Sequence, residues 1–168
     1  LDPSNPFPFM SNLSTSWGFV LRDNATAETV NVRVKVPTTI QQWLPLRSGV
    51  PAGERCFISL HEVVRHNAYK LFPGVTIEHA MLFRLSRNAD IAIEEDRDNS
   101  IRELVEEQVR QRRFQPVVRL EFDESPRAEI RHGLMDQFEL RDSDVYELPG
   151  LLDYTTLFGI ASLPVAQL

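Results

Sequence analysis

The chain has 168 residues, 42% of them apolar, with a formal net charge of −6 and one cysteine. A chain of this size buries roughly two thirds of its unfolded surface, enough for a genuine core, and this composition excludes a disordered segment. The acidic balance argues against a surface that binds nucleic acid or another polyanion over its whole extent, although a local basic patch remains compatible with it.

Leu1–Ser11 carries prolines and no periodicity. It reads as an extended lead-in reaching to about residue 14, with Phe7 and Phe9 expected to dock on the core. Ser16–Leu21 is a strand candidate, and Asp23-Asn24 a turn. Val30, Val32, Val34 and Val36 alternate with Asn31, Arg33 and Lys35, the pattern of a strand with one buried and one wet face. The two strands are expected to form an antiparallel hairpin. Gln41–Leu46 is a short strand around Trp43, and Arg47–Glu54, with two glycines and a proline, is a loop. Trp17 and Trp43 are expected in the core. Ser59 and Glu62 have capping-box spacing, which predicts a helix running to about Leu71, with Leu60, Val63, Val64 and Leu71 largely on one face. Pro73-Gly74 stops it.

Val75–Leu85 and Ile91–Glu94 read as strands around a polar bend at Arg87–Asp90. Ser100–Arg113 is a strong helix signal, with Ile101, Leu104, Val105 and Val109 in one stripe. Acids lead it and bases close it, as the helix dipole favours. Pro116–Phe122 is a strand. Ser125 is expected to cap a helix that has Pro126 at its first position and runs to about Phe138. Val145–Leu148 is a last short strand, and Asp153 is expected to cap a final helical turn. Strands and helices mix without regular alternation. The expected fold is therefore α+β: a single domain over residues 1–168, with a mixed, mainly antiparallel sheet and about three helices packed on it.

Chemistry-bearing residues are sparse. His61 and His66 are five apart, on different sides of a helix, and with His79 and His132 read as surface or half-buried imidazoles. No cysteine or carboxylate spacing completes a zinc set, and the lone Cys56 excludes an internal disulfide and suits a reducing compartment. Asp96, Asp98, Ser100 and Glu107 fall at positions one, three, five and twelve of a calcium loop. Position six must be glycine and is Ile101, so the acidic cluster around Asp90–Asp98 reads as a helix start, not a metal site. No glycine-rich phosphate loop and no nucleophile elbow is present. Arg110, Arg112, Arg113 and Arg119 form the best polyanion-binding candidate, because guanidinium forks match phosphate oxygens. The alternative is a solvated helix C-terminus. Arg84, Arg87 and Asn88 form a second, weaker candidate. No stretch of about 18 apolar residues could span a membrane, and no basic-then-apolar leader opens the chain. Opening on Leu1, it is expected to be a piece of something longer.

The segment with the most identity is Phe83–Asp96, FRLSRNADIAIEED. Together with Asn5–Ser14 (NPFPFMSNLS), Val34-Lys35-Val36-Pro37, Phe72-Pro73-Gly74, Arg112-Arg113-Phe114, Val117–Glu121 (VVRLE), Val145-Tyr146 and Leu152-Asp153, it resembles the middle domain of polyphosphate kinases. The matches recur in order over nearly the whole chain. The resemblance implies a four-part protein that moves the terminal phosphate of ATP onto polyphosphate. A helical domain would precede this one. Two domains similar to phospholipase D would follow, carrying the phosphorylated histidine and most of the ATP and magnesium site. No catalytic residue, metal or cofactor is then expected in this chain. It would serve as a structural and assembly domain, in contact with other domains of the same polypeptide and within a homo-oligomer. A module that itself grips polyphosphate or nucleotide is the alternative. A cytoplasmic location is expected, with peripheral membrane attachment as a variant of it.

Overall fold

The alternation in the first third of the chain builds a hairpin. Thr15–Asp23 (β1) pairs antiparallel with Thr29–Lys35 (β2), Trp17 opposite Val34 and Phe19 opposite Val32. Asp23 makes the connection rigid: its Oδ1 accepts from the backbone nitrogens of Ala25 and Thr26 at 2.7 and 2.9 Å. This Asx geometry draws its carboxyl below the usual range. The structure, a computed structural model, describes residues 9–88 and 115–164.

Among the described residues, five strands form one sheet in the order β2-β1-β5-β6-β7. Val75–Arg87 (β5) pairs antiparallel with β1 and with Val117–Phe122 (β6), and Val145–Glu147 (β7) joins β6 in parallel. Trp43–Pro45 (β3) and Phe57–Ser59 (β4) make a separate antiparallel pair. The helices are Leu60–Asn67 (α1), Ala128–Phe138 (α2) and the single turn Phe158–Ala161 (α3). This is the α+β, mainly antiparallel architecture that the sequence predicts.

The sheet is covered on both faces. On one side Trp17, Phe19, Leu21 and Leu82 meet Val36, Leu60, Ala68 and Leu152, so α1 and the C-terminal segment lie there. On the other, Val20, Met81, Phe83, Leu85, Leu120 and Phe122 meet Met10 and Leu134 of α2. Central strands buried on both faces lose the simple alternation, which is why β1, β5 and β6 read as apolar runs.

Several local expectations are corrected. Val30 is 52% exposed: it lies at the hairpin end of the edge strand β2, past the cover that half-buries Val32 and Val34. Ser59 is the N-cap of α1 but makes no side-chain cap bond, because its hydroxyl pairs with His61 instead. The helix ends at Asn67 and continues as a 3-10 turn, Ala68–Lys70, leaving Leu71 exposed. Gly74, at φ +81°, makes the reversal into β5 that a side chain would strain. The helix after Pro126 begins two residues late, with Arg127 as N-cap. Ser125 bonds Glu147 Oε2 at 2.5 Å instead of the helix start. Strand β5 runs through Arg87 where a bend was expected. Trp17 is in the core, Trp43 only half-buried. Asp153 does cap a turn, accepting from Thr155 N at 3.1 Å. The predicted strand Ile91–Glu94, the acidic cluster, the helix Ser100–Arg113 and Phe7 lie outside the described residues.

Candidate functional site

Arg84 and Arg119 come together because β5 and β6 pair in register, Arg84 opposite Glu121 and Ser86 opposite Arg119. Period-two geometry puts Arg84, Arg119 and Glu121 on one face of the sheet. Glu121 is 6% exposed. Its Oε1 takes a charge-assisted contact from Arg119 Nη2 at 2.7 Å, and its Oε2 lies 3.8 Å from Arg84 Nη1. Arg84 also reaches the C-terminal segment: the same Nη1 donates to the Leu152 carbonyl at 3.0 Å, and Nη2 is 3.8 Å from Asp153 Oδ1. The Arg119 guanidinium also stacks over the Tyr146 ring at 4.2 Å. Two arginines face two carboxylates, so the cluster is neutral in sum.

Arg87 is a clamp. Its Nε and Nη2 both donate to the Met10 carbonyl, at 3.1 and 2.9 Å, and its Nη1 donates to Gln115 O at 2.6 Å. Its plane lies over the half-exposed Phe9 ring at 5.1 Å. Asn88 anchors the end of β5 by donating its backbone nitrogen to Pro116 O at 3.0 Å. The structure therefore brings Arg84 and Arg119 together, places Arg87 and Asn88 at the junction with the lead-in, and leaves Arg110, Arg112 and Arg113 outside the described residues.

The histidines stand apart. His61 Nε2 pairs with Ser59 Oγ at 3.1 Å, its carbonyl accepts from the Trp17 indole at 2.9 Å, and burial holds the imidazole below its ordinary pKa. His66 is exposed and pairs through Nδ1 with Glu62 O at 2.9 Å. Among the described residues no group of three or more His, Cys, Asp or Glu could hold a metal ion.

Sequence reasoning missed a cavity of about 230 Å³ between the α1 face of the sheet and the segment from Leu151 to Thr156. Ser59 and His61 form one wall. Asp153 and Thr156 form another, held closed by the Trp43 indole, which donates to Thr156 Oγ1 at 3.1 Å. Its lining comes from five separate stretches of chain, a convergence that no local spacing announces.

The comparisons with known proteins agree with the fold. The family described as the polyphosphate kinase middle domain matches residues 1–160. The polyphosphate kinase of Synechocystis sp. is 42% identical to this chain, covering 100% of it and 24% of the relative. That of Streptomyces coelicolor is 34% identical over 100% of this chain and 22% of its own length. The crystal structure of polyphosphate kinase from Porphyromonas gingivalis superposes with a TM-score of 0.67 over 96% of this chain and 22% of that one. At 14% identity this is a likeness of fold. The chain thus spans about a quarter of the length of the curated relatives it matches. With the profile running over 160 of its 168 residues, the chain belongs to the polyphosphate kinase middle-domain family.

Proposed function

We propose that this chain is a non-catalytic structural and assembly domain of a longer polyphosphate kinase, and that residues 1–168 make up one such domain. The whole protein would transfer the terminal phosphate of ATP to polyphosphate, with ATP, magnesium and the phosphorylated histidine handled by other parts of the polypeptide. This domain would hold those parts together and contribute to a homo-oligomeric contact in the cytoplasm.

One observation carries the reading. The described arginines that could receive a phosphate chain, Arg84, Arg87 and Arg119, are already engaged by the domain's own carboxylates and carbonyls. Arg84 and Arg119, paired with Glu121 and Asp153, leave little unbalanced charge for a ligand, and Arg87 is committed to two carbonyls that fix its geometry. The chain also carries no phosphate-cradling glycine loop.

Incubation of the 168-residue chain with γ-labelled ATP and magnesium tests the absence of chemistry. No protein-bound label is expected. Stable labelling of any of the four histidines would overturn the reading.

A further inference from the structure

Strand β2 pairs with β1 on one side and, among the described residues, with nothing on the other. The ladder fixes which of its backbone groups face out. Val36 N donates to Thr15 O beyond one end, Asp23 N donates to Glu28 O beyond the other, and the register between them is unbroken. Antiparallel pairs alternate, so Val30, Val32 and Val34 direct their N–H and C=O at β1, while Asn31, Arg33 and Lys35 turn theirs outward. The strand is seven residues long, without proline or bulge, so this row can accept a full partner strand.

The side chains set that partner's chemistry. On one face Val32 and Val34 are half-buried and Val30 is 52% exposed. On the other face, neutral groups alone hold the two cations. Arg33 Nε donates to Ser16 Oγ at 3.1 Å and its Nη1 reaches Phe9 O at 3.5 Å, while Lys35 Nζ donates to Ser11 Oγ at 3.1 Å. Burial pushes the Arg33 guanidinium below its ordinary pKa, and no carboxylate counters it. Glu28 sits at the hairpin end, and Glu129 lines a groove with Arg33. Among the described residues neither forms an ion pair with Arg33 or Lys35.

The β2 strand of a second copy would add another arginine and lysine to this row and no carboxylate. Polyphosphate could meet the two cations, but it would also face the outward carbonyl oxygens and leave the valines uncovered. An extended peptide with carboxylates on one face and aliphatic side chains on the other completes the ladder, pairs the cations and covers the valines. Basic residues guard a sheet edge against self-pairing, and here the same charges choose the strand that is admitted.

We propose that the free edge of β2 takes an extended segment of alternating acidic and apolar residues, from the part of the longer polypeptide outside these 168 residues, as a sixth strand of the sheet. Its carboxylates lie opposite Arg33 and Lys35, and its apolar residues opposite Val32 and Val34. Length supports this source: the chain spans about a quarter of its curated relatives, so most of what an assembly domain would hold lies outside it. The proposal rests on the assembly reading and adds to it a surface and a partner chemistry.

The test is a nuclear magnetic resonance titration of the 168-residue chain with an end-blocked peptide of the same length as β2, valine alternating with glutamate. Saturable shifts and slowed hydrogen exchange are expected at the Asn31, Arg33 and Lys35 amides, with the Val32 amide, bonded inside the sheet, as the exchange reference. A peptide with its valines and glutamates in separate blocks, a valine–lysine peptide and polyphosphate should not slow that exchange. Asn31→Pro removes one outward N–H and leaves the β1 ladder intact, so the chain should still melt cooperatively but no longer bind. Arg33→Glu with Lys35→Glu should weaken the glutamate peptide about tenfold or more and admit the lysine peptide. No saturable protection, equal protection by polyphosphate or by the blocked peptide, or affinity unchanged in both variants would overturn the proposal. Protection that grows with chain concentration and no peptide would overturn it in favour of a second copy. In the longer polypeptide the three amides should be protected without added peptide, and exchange there as fast as in the 168-residue chain would also overturn it. None of these outcomes bears on labelling by ATP, so this proposal and the non-catalytic reading can fail separately.

Discussion

Arg87 grips the carbonyl of Met10 with two of its nitrogens, at 3.1 and 2.9 Å, across 77 positions of sequence. The same side chain reaches Gln115 O, and its backbone nitrogen donates to Asn12 Oδ1 at 2.7 Å. One residue thus ties the lead-in, the end of β5 and the approach to β6. The planar fork is what allows it, since a lysine head cannot donate in two fixed directions from one rigid plane.

Replacing Arg87 with Lys keeps the charge and removes the fork. It should destabilise the chain by about 1–3 kcal/mol, the range for charge-assisted hydrogen bonds left unmade. Chemical denaturation measures it. A midpoint unchanged in Arg87→Lys would mean that the clamp contributes nothing and that charge alone matters at this position.

Burial divides residues that look alike in sequence. Leu120 is 0% exposed between Leu85 and the α2 side of the core, whereas Val30 lies open at the sheet edge. Leu120→Ala should cost about 2–5 kcal/mol, and Val30→Ala no more than about 0.5 kcal/mol. Comparable losses at both positions would show that β2 has a cover over its hairpin end.

Asp123 gives the chain a pH signature. Its backbone nitrogen donates to Leu82 O at 3.1 Å, and its Oδ1 accepts from Leu82 N at 2.8 Å, extending the β5–β6 ladder by one side chain. Burial, reinforced by Glu124, pushes its carboxyl up from 3.8 to about 6. The folded state therefore holds this proton more tightly than the unfolded chain. The resulting stability is fully present below about pH 3.8 and is lost as pH rises through about 6. Asp123→Asn keeps the acceptor and deletes the buried charge. It should stabilise the chain at pH 8 by about 1 kcal/mol, after allowance for solvent screening of a half-buried group, and do nothing at pH 4. His61 works in the opposite sense, because burial disfavours its charged form. Its contribution is full above the ordinary histidine value and falls with acidification. Melting temperatures across pH 4–8, in the parent chain and in Asp123→Asn, separate the two. A difference that does not grow with pH would remove Asp123 as the source.

The strands were legible where side-chain period and burial coincide. Val32 and Val34 alternate because β2 has one covered face, and Pro73-Gly74 ends a helical stretch for backbone reasons that need no tertiary context. Caps were less legible. Ser59 and Ser125 have the right spacing, but each hydroxyl found a tertiary partner, His61 and Glu147 Oε2, that spacing cannot reveal. Arg84 and Arg119 were visible in the sequence, but their counter-charges were not. Glu121 and Asp153, which neutralise them, arrive from β6 and from the C-terminal segment, 37 and 69 positions away from Arg84. Leu151–Thr156 carries no periodic signal, yet it forms one wall of the cavity.

That neutralisation leads to the last prediction. A polyphosphate chain has a dense line of negative charge, so a site that grips it must present cations without local counter-charges. Arg84 and Arg119 share Glu121, and Arg84 also faces Asp153. At physiological salt, screening over about 8 Å removes what little field extends beyond such pairs. The 168-residue chain, at net −6, should therefore bind long-chain polyphosphate weakly, and Arg84→Ala and Arg119→Ala should leave that binding unchanged while lowering stability. Fluorescence anisotropy of an end-labelled polyphosphate, read from low to physiological salt, measures it. Tight, steeply salt-dependent binding abolished by changing Arg110, Arg113 and Arg119 together to Ala would instead make this domain a polyanion-gripping module. Binding that survives those changes would place the contact on another surface of the chain.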